Sequence, residues 1–268
     1  MPAIHSSATA EYFAPLADEA VLFDARTERW LHFSKPRHIL VARSLEEVVA
    51  RLAEVDRLVV DQQLSAAGFV SYEAGPAFDS ALKIHSLDAF PLLWFGLYEQ
   101  VASLEALPLP QSPTRFSWET SISPEEYRQS LKQVREYIAA GDTYQVNFTF
   151  RLHGTQPNHP WQTFLQLVSA QNPKYGAYIE TEQWSLCSSS PEMFFVLDGD
   201  QISSRPMKGT APRGLTQAAD AAMAEELYQS VKNRAENVMI VDMVRNDLCS
   251  IARSGSVRVS ELFSIEKN

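Results

Sequence analysis

Cysteine is nearly missing from this sequence: Cys187 and Cys249 are the only two in 268 residues. Their number and separation match neither a disulfide framework nor a zinc pattern, and two free thiols are expected to be buried in a reducing cytoplasm. Positive charge is also scarce, with 23 lysines and arginines against 33 acids and a formal net charge of −10. No basic run interleaves with aromatics, so neither nucleic acid nor an anionic membrane is an expected partner. An acidic protein that handles an anion therefore needs a cation. Long apolar runs are absent as well. None approaches membrane-spanning length, and Met1 to Glu11 lack the basic and apolar regions of a secretory leader. There is neither an internal repeat nor a low-complexity tract.

What the chain does have is enough apolar content, 45%, to bury a core in one large domain or two smaller ones. Val21 to Asp24 and Arg37 to Ala42 read as strands. Ser44-Leu45-Glu46-Glu47 is a capping box, after which Leu45, Val48, Val49, Leu52 and Val55 recur at helical spacing. Gly68 to Tyr72 and Pro91 to Tyr98 are further strands. The proline-rich run from Leu104 to Pro113 reads as a linker, dividing a region 1–113 from a region 114–268. A second capping box at Ser123 to Glu126 opens a helix that Gly141 stops. From Tyr144 to Leu152 apolar and polar residues alternate strictly, which predicts a strand with one buried face. Pro160 to Ala170 reads as a helix with Trp161, Phe164, Leu165 and Val168 inward. Strands near Gly176 to Glu180, Trp184 to Ser188 and Met193 to Leu197 follow, the last turning at Asp198-Gly199 into Gln201 to Ser204. Short turns between consecutive strands point to antiparallel sheet and an α+β class. Ala218 to Ala252 is helical in two pieces, and Glu236 sits there among apolar neighbours on a helix expected to be largely buried. Such a carboxylate needs a partner, an arginine or a metal.

The stretch with most chemical content is Arg205-Pro206-Met207-Lys208-Gly209-Thr210-Ala211-Pro212-Arg213-Gly214. Pro206 fixes the backbone before the lysine, and Gly209 lets the chain approach a ligand closely. Arg205 and Arg213 add positive charge that suits an anionic substrate and disfavours a further cation between them, so Lys208 reads as a reactive amine. A solvated basic turn is the alternative on these residues alone. A phosphate loop is excluded, because there the lysine follows the glycine and opens a helix.

Together with Gly141-Asp142-Thr143-Tyr144-Gln145-Val146-Asn147, Ser189-Ser190-Pro191-Glu192, and Lys232-Asn233-Arg234-Ala235-Glu236-Asn237-Val238-Met239-Ile240-Val241-Asp242 through Arg245-Asn246-Asp247, this stretch resembles the motifs of the chorismate-utilising enzymes, in order. The resemblance covers nearly the whole chain. It implies two antiparallel sheets packed across each other, with helices outside and the site between. Lysine rather than alanine at 208 is similar to the aminodeoxychorismate-forming branch and not to anthranilate synthases. The resemblance implies that Lys208 attacks the ring of chorismate covalently, that Glu192 is the general acid for the departing hydroxyl, and that Gly209 and Thr210 bind a substrate carboxylate. It further implies Glu236 as a Mg²⁺ ligand, ammonia from a separate glutamine amidotransferase subunit, and a place in 4-aminobenzoate and folate biosynthesis.

Asn233 departs from the pattern, standing where relatives often carry an acid. Family members also continue beyond residue 268, so the resemblance implies a C-terminally truncated chain, inactive alone, with exposed sheet edges. Two other readings stay open. A water-using isochorismate or salicylate synthase would form no lysine adduct. A noncatalytic tryptophan-binding module would use Leu22, Asp24 and the facing Tyr175, although Lys174 stands where a small or apolar residue is expected.

Overall fold

The computed structural model describes residues 13–84, 90–111, 116–155 and 159–266. In chain order its elements are β1 (Ala20–Asp24), β2 (Arg29–Ala42), α1 (Leu45–Gln62), β3 (Ser65–Val70), a 3₁₀ turn (Tyr72–Ala77), β4 (Leu93–Leu104), β5 (Trp118–Thr120), α2 (Pro124–Ala140) and β6 (Leu152–Gly154). There follow α3 (Pro160–Gln171), β7 (Tyr175–Glu180), β8 (Ser185–Ser190), β9 (Met193–Asp198), β10 (Gln201–Arg205), α4 (Gln217–Gln229) and α5 (Val231–Ile251). The expected α+β class is what the chain adopts, and among the described residues every strand pairing is antiparallel.

Six strands form the main sheet in the order β3-β4-β2-β1-β7-β8. It draws β7 and β8 from beyond the linker to pair with β1, so the boundary at 113/114 does not separate one sheet from another. The long β2 pairs with β4 from Trp30–Leu104 to Ala42–Leu93, with a slip between Pro36 and His38. Proline has no amide to give the ladder and Lys35 before it lies at φ 55°, so a bulge forms and the strand bends. The sheet curls. Trp184, in the β7–β8 turn, packs 5.7 Å from Phe69 of β3 and 5.9 Å from Trp94 of β4, although these strands lie towards opposite ends of the order.

Helices cover the outside of the curl. Val48, Val55 and Leu58 of α1 pack on Leu40, Leu93 and Leu97, while Trp161, Phe164 and Leu165 of α3 pack on Val21, Trp30 and Tyr178. Each such buried side chain contributes about 1.5–3 kcal/mol. Both capping boxes form: Glu47 accepts from the Ser44 amide at 3.1 Å and Glu126 from the Ser123 amide at 2.7 Å. Gly141 ends α2 at φ 82°, and α4 breaks from α5 at Ser230, whose hydroxyl caps α5.

Three expectations are corrected. The alternation at Tyr144 to Leu152 is not a strand, since among the described residues only Leu152–Gly154 pairs, with Trp118–Thr120. A strand needs a ladder partner, and here Phe148 and Phe150 pack instead on Tyr127 of α2, at 5.7 and 5.9 Å between rings. Next, α5 has no buried residue: Val231, Val238 and Met243 are exposed. Last, Cys249 is exposed and only Cys187 is partly covered.

One buried pair, Glu19 with His32, locks the start of β1 to β2. Glu19, 7% exposed, accepts from His32 Nε2 at 2.9 Å and from the Leu16 amide at 3.0 Å. Burial alone pushes this carboxyl up, but the bonds from His32 and Leu16 and the attraction of His32 outweigh it and hold Glu19 below the ordinary glutamate range. A lowered carboxylate gives stability that is complete above the unfolded value, about 4.3, and is lost as pH falls through the folded one. Urea midpoints from pH 7 down to pH 3 are expected to show Glu19→Gln weakened at neutral pH with a shallower acid loss than the parent. Parallel curves would contradict this.

Candidate functional site

The β9–β10 hairpin builds the site. Gly199 turns it at φ 61°, and the register pairs Arg205 with Met193, which brings residues on either side of each into contact. β8 runs straight into Ser190-Pro191-Glu192, where the Ser190 hydroxyl accepts from the Glu192 amide at 3.2 Å. The Glu192 carboxylate then accepts from the Met207 amide at 2.8 Å. The acid is therefore tethered one residue from Lys208, though exposed itself.

The loop after β10 is pinned at both ends. Gly209 lies at φ 83°, and a Cβ there would sit 3.0 Å from Asn233 Cβ, so only glycine lets the loop close on α5 without strain. Asn233 is thus a wall for that glycine. At the other end Asp220 takes a bidentate pair from Arg213, at 2.6 and 2.7 Å, and the Gly214 amide at 3.0 Å. Arg213 and Arg205 were expected to direct their charge towards Lys208. Instead each is paired with a carboxylate, Arg213 with Asp220 and Arg205 with Glu266. Lys208 is half-buried, and among the described residues nothing pairs with its amine.

Lys208, Gly209 and Thr210 line a cavity of about 800 Å³ between this loop, α4, α5 and the segment from Val257 to Glu266. Its walls carry seven basic and three acidic side chains, in a chain whose net charge is −10. Val241, Val244, Leu248 and Phe263 supply apolar wall, and the Arg234 guanidinium lies 4.5 Å over the Phe263 ring. Such a mixture suits a small anion with an apolar body. Neither Glu192 nor Glu236 lines the cavity.

Glu236, 23% exposed, is engaged by Lys232 of its own helix at 3.8 Å, a lysine rather than the arginine foreseen as its protein partner. Magnesium takes about six oxygen ligands. Among the described residues no three metal-ligating side chains cluster, and since magnesium is commonly held by one or two carboxylates with water, Glu236 is a residue that could hold it. Leu22, Asp24 and Tyr175 lie on the neighbouring strands β1 and β7, where Leu22 faces Ala177 across the ladder. The Asp24 carboxylate is occupied by its own turn, accepting from the Arg26 amide at 3.0 Å and the Thr27 hydroxyl at 2.7 Å.

Lys174, Arg234, Arg258 and Glu266 were not singled out for this site by sequence reading. Arg234 alone carried a signal, its place on one face of α5; the others meet the cavity through tertiary structure. Asparagine at 220 would lose the charge and one of the two acceptor oxygens that hold the Arg213 guanidinium and the Gly214 amide. Asp220→Asn is therefore expected to speed amide hydrogen exchange across residues 206–214 by about tenfold or more, with exchange in the main sheet unchanged. Uniform exchange rates in that loop would remove Asp220 as its anchor.

The chain matches the chorismate binding enzyme family over residues 17–268. It is 44% identical over 230 residues to aminodeoxychorismate synthase component 1 of Escherichia coli (strain K12), covering 76% of this chain and 51% of that one. The protein of the same name in Bacillus subtilis (strain 168) is 34% identical over 213 residues, 79% of this chain and 44% of that one. This chain thus spans about half the length of these curated relatives. Its fold is similar to the crystal structure of anthranilate synthase component I from Streptococcus pneumoniae TIGR4, with a TM-score of 0.70 at 17% identity, covering 99% of this chain and 69% of that one. Ordered motifs, fold and family match agree: the chain belongs to the chorismate binding enzymes.

Proposed function

We propose that the chain carries the lysine-bearing part of an aminodeoxychorismate synthase, which converts chorismate and ammonia to 4-amino-4-deoxychorismate and water. The observation that carries this reading is a half-buried lysine in a cation-rich cavity, its amine without a partner among the described residues, next to a backbone amide that tethers a carboxylate. A water-using enzyme would employ that amine only as a general base and would leave no adduct on it.

Replacing a hydroxyl by ammonia with the new group on the same carbon takes two allylic displacements. The Lys208 lone pair bonds to ring C2, the double bonds shift, and the C4–O bond breaks. Glu192, its Oε1 held by the Met207 amide, delivers the proton that lets the hydroxyl leave as water. Ammonia then bonds to C4, the double bonds shift back, and the C2–N bond breaks to restore the lysine. The Gly209 amide and the Thr210 hydroxyl orient a ring carboxylate.

Ammonia comes, on this reading, from a glutamine amidotransferase subunit, and the product feeds 4-aminobenzoate and folate synthesis. A cytoplasmic setting fits Cys187, whose thiol is pushed up to about 12 by burial and by Glu180 and so resists oxidation. Magnesium, implied by resemblance, has one candidate ligand in Glu236.

In a full-length synthase carrying this chain, incubation with chorismate without ammonia is expected to leave one dehydrated chorismate on the protein by intact mass, absent in Lys208→Ala. Adding ammonium should discharge it as 4-amino-4-deoxychorismate. A parent protein that stays unmodified while turning over chorismate would sink the reading.

A further inference from the structure

We propose that the Lys208 amine also captures β-oxo acids, of which acetoacetate is the simplest ketone, as a reversible Schiff base that blocks the site. This rests on the reading above for where the carboxylate and the attacked carbon lie. Of the two lysines in the cavity wall, Lys174 lies 3.6 Å from the Glu266 carboxylate, whereas among the described residues nothing engages Lys208. An amine held by a carboxylate must leave it before it can attack a carbonyl, and Lys208 has no such tie to break. Its neighbours continue the opening. Among the described residues neither the Gly209 amide nor the Thr210 hydroxyl makes a hydrogen bond, and both residues line the cavity. Gly209, at φ 83° against Asn233, keeps these two donors in a fixed place beside the lysine.

In the proposed reaction the ring carboxylate stands on C1 and the lysine bonds to C2, so two bonds separate the carboxylate carbon from the carbon attacked. A β-oxo acid repeats that spacing and puts a carbonyl at the attacked position. An α-oxo acid is one bond short, and a simple ketone has no carboxylate for Gly209 and Thr210 to hold. Imine formation also needs what the site supplies. The Lys208 lone pair bonds to the carbonyl carbon, the C–O double bond opens, and a proton passes from nitrogen to oxygen to give a carbinolamine. Its hydroxyl leaves as water with a proton from Glu192, while the nitrogen lone pair closes a C=N bond and the nitrogen keeps its positive charge. That departure repeats the loss of the C4 hydroxyl, and the Met207 amide fixes Glu192 one residue from the lysine for both. Water reverses each step and restores the lysine without oxidant or reductant.

In a full-length synthase carrying this chain, acetoacetate with cyanoborohydride is expected to leave one reduced adduct by intact mass, mapped to the peptide that bears Lys208 and not to Lys174. Acetone and pyruvate at the same concentration should label about tenfold more slowly, because neither places a carboxylate and a carbonyl together at the required spacing. Glu192→Gln should slow labelling by about tenfold or more. Lys208→Ala should abolish it, with thermal melting to confirm that each variant folds. Without the reductant, acetoacetate should compete with chorismate, and dialysis should restore activity. Labelling spread over several lysines, equal labelling by acetone, or an unchanged rate in Glu192→Gln overturns the inference, even where chorismate forms its own adduct. Acetoacetate trapped on Lys208 in a protein that forms no adduct with chorismate upholds the carbonyl capture and refutes the synthase reading.

Discussion

The hydrogen bond from the Met207 amide to the Glu192 carboxylate ties the whole site together. It fixes a side chain to a backbone position one residue from Lys208, so the acid cannot drift without unmaking the end of the hairpin. The β9–β10 register makes that bond possible, since pairing Arg205 with Met193 brings the two flanking turns side by side. A slip of one residue would turn every side chain of β10 to the opposite face and carry Lys208 away from the cavity. The irregularity between Ser203 and Arg205 absorbs the mismatch where the strand ends and the lysine loop begins.

Rigidity reaches this hairpin from the curled six-stranded sheet. β8 is its edge strand and continues directly into Ser190, Pro191 and Glu192, so the acid stands on the sheet's last rigid residues. The buried side chains lie in the sheet, its two covering helices and the connections between them, while α2, α4 and α5 bury none. The cavity is held differently, by local ties: Asp220 on Arg213 and Gly214, Asn233 against Gly209, and Arg234 over Phe263. A site assembled from such contacts can exchange one partner for another more readily than a packed core can.

What could be read from the sequence was whatever is decided locally. The caps at Ser44 and Ser123, the stripe of Trp161, Phe164 and Leu165, and the turn at Gly199 all depend on residues within a few positions of each other. The first half of β2 was missed because Arg29 to Phe33 becomes a strand through its partners on β1 and β4. The alternation from Tyr144 to Leu152 misled for the converse reason, showing the period of a strand without the ladder. At the site, Lys208, Gly209 and Thr210 were legible as a group because one loop carries them. Lys174 and Glu266 were not, since 92 residues separate them and only the fold joins them at 3.6 Å. Nor did the sequence reveal that Arg205 and Arg213 each have an acid to pair with.

The central claim is that the amine of Lys208 forms a bond to the ring of chorismate at C2. With lysine labelled in its side-chain ¹⁵N and chorismate labelled with ¹³C at C2, NMR without ammonia tests that bond itself. The account predicts a one-bond carbon–nitrogen coupling that is lost in Lys208→Ala and in the parent once ammonium is added. A C2 resonance that stays uncoupled while chorismate is consumed would contradict it.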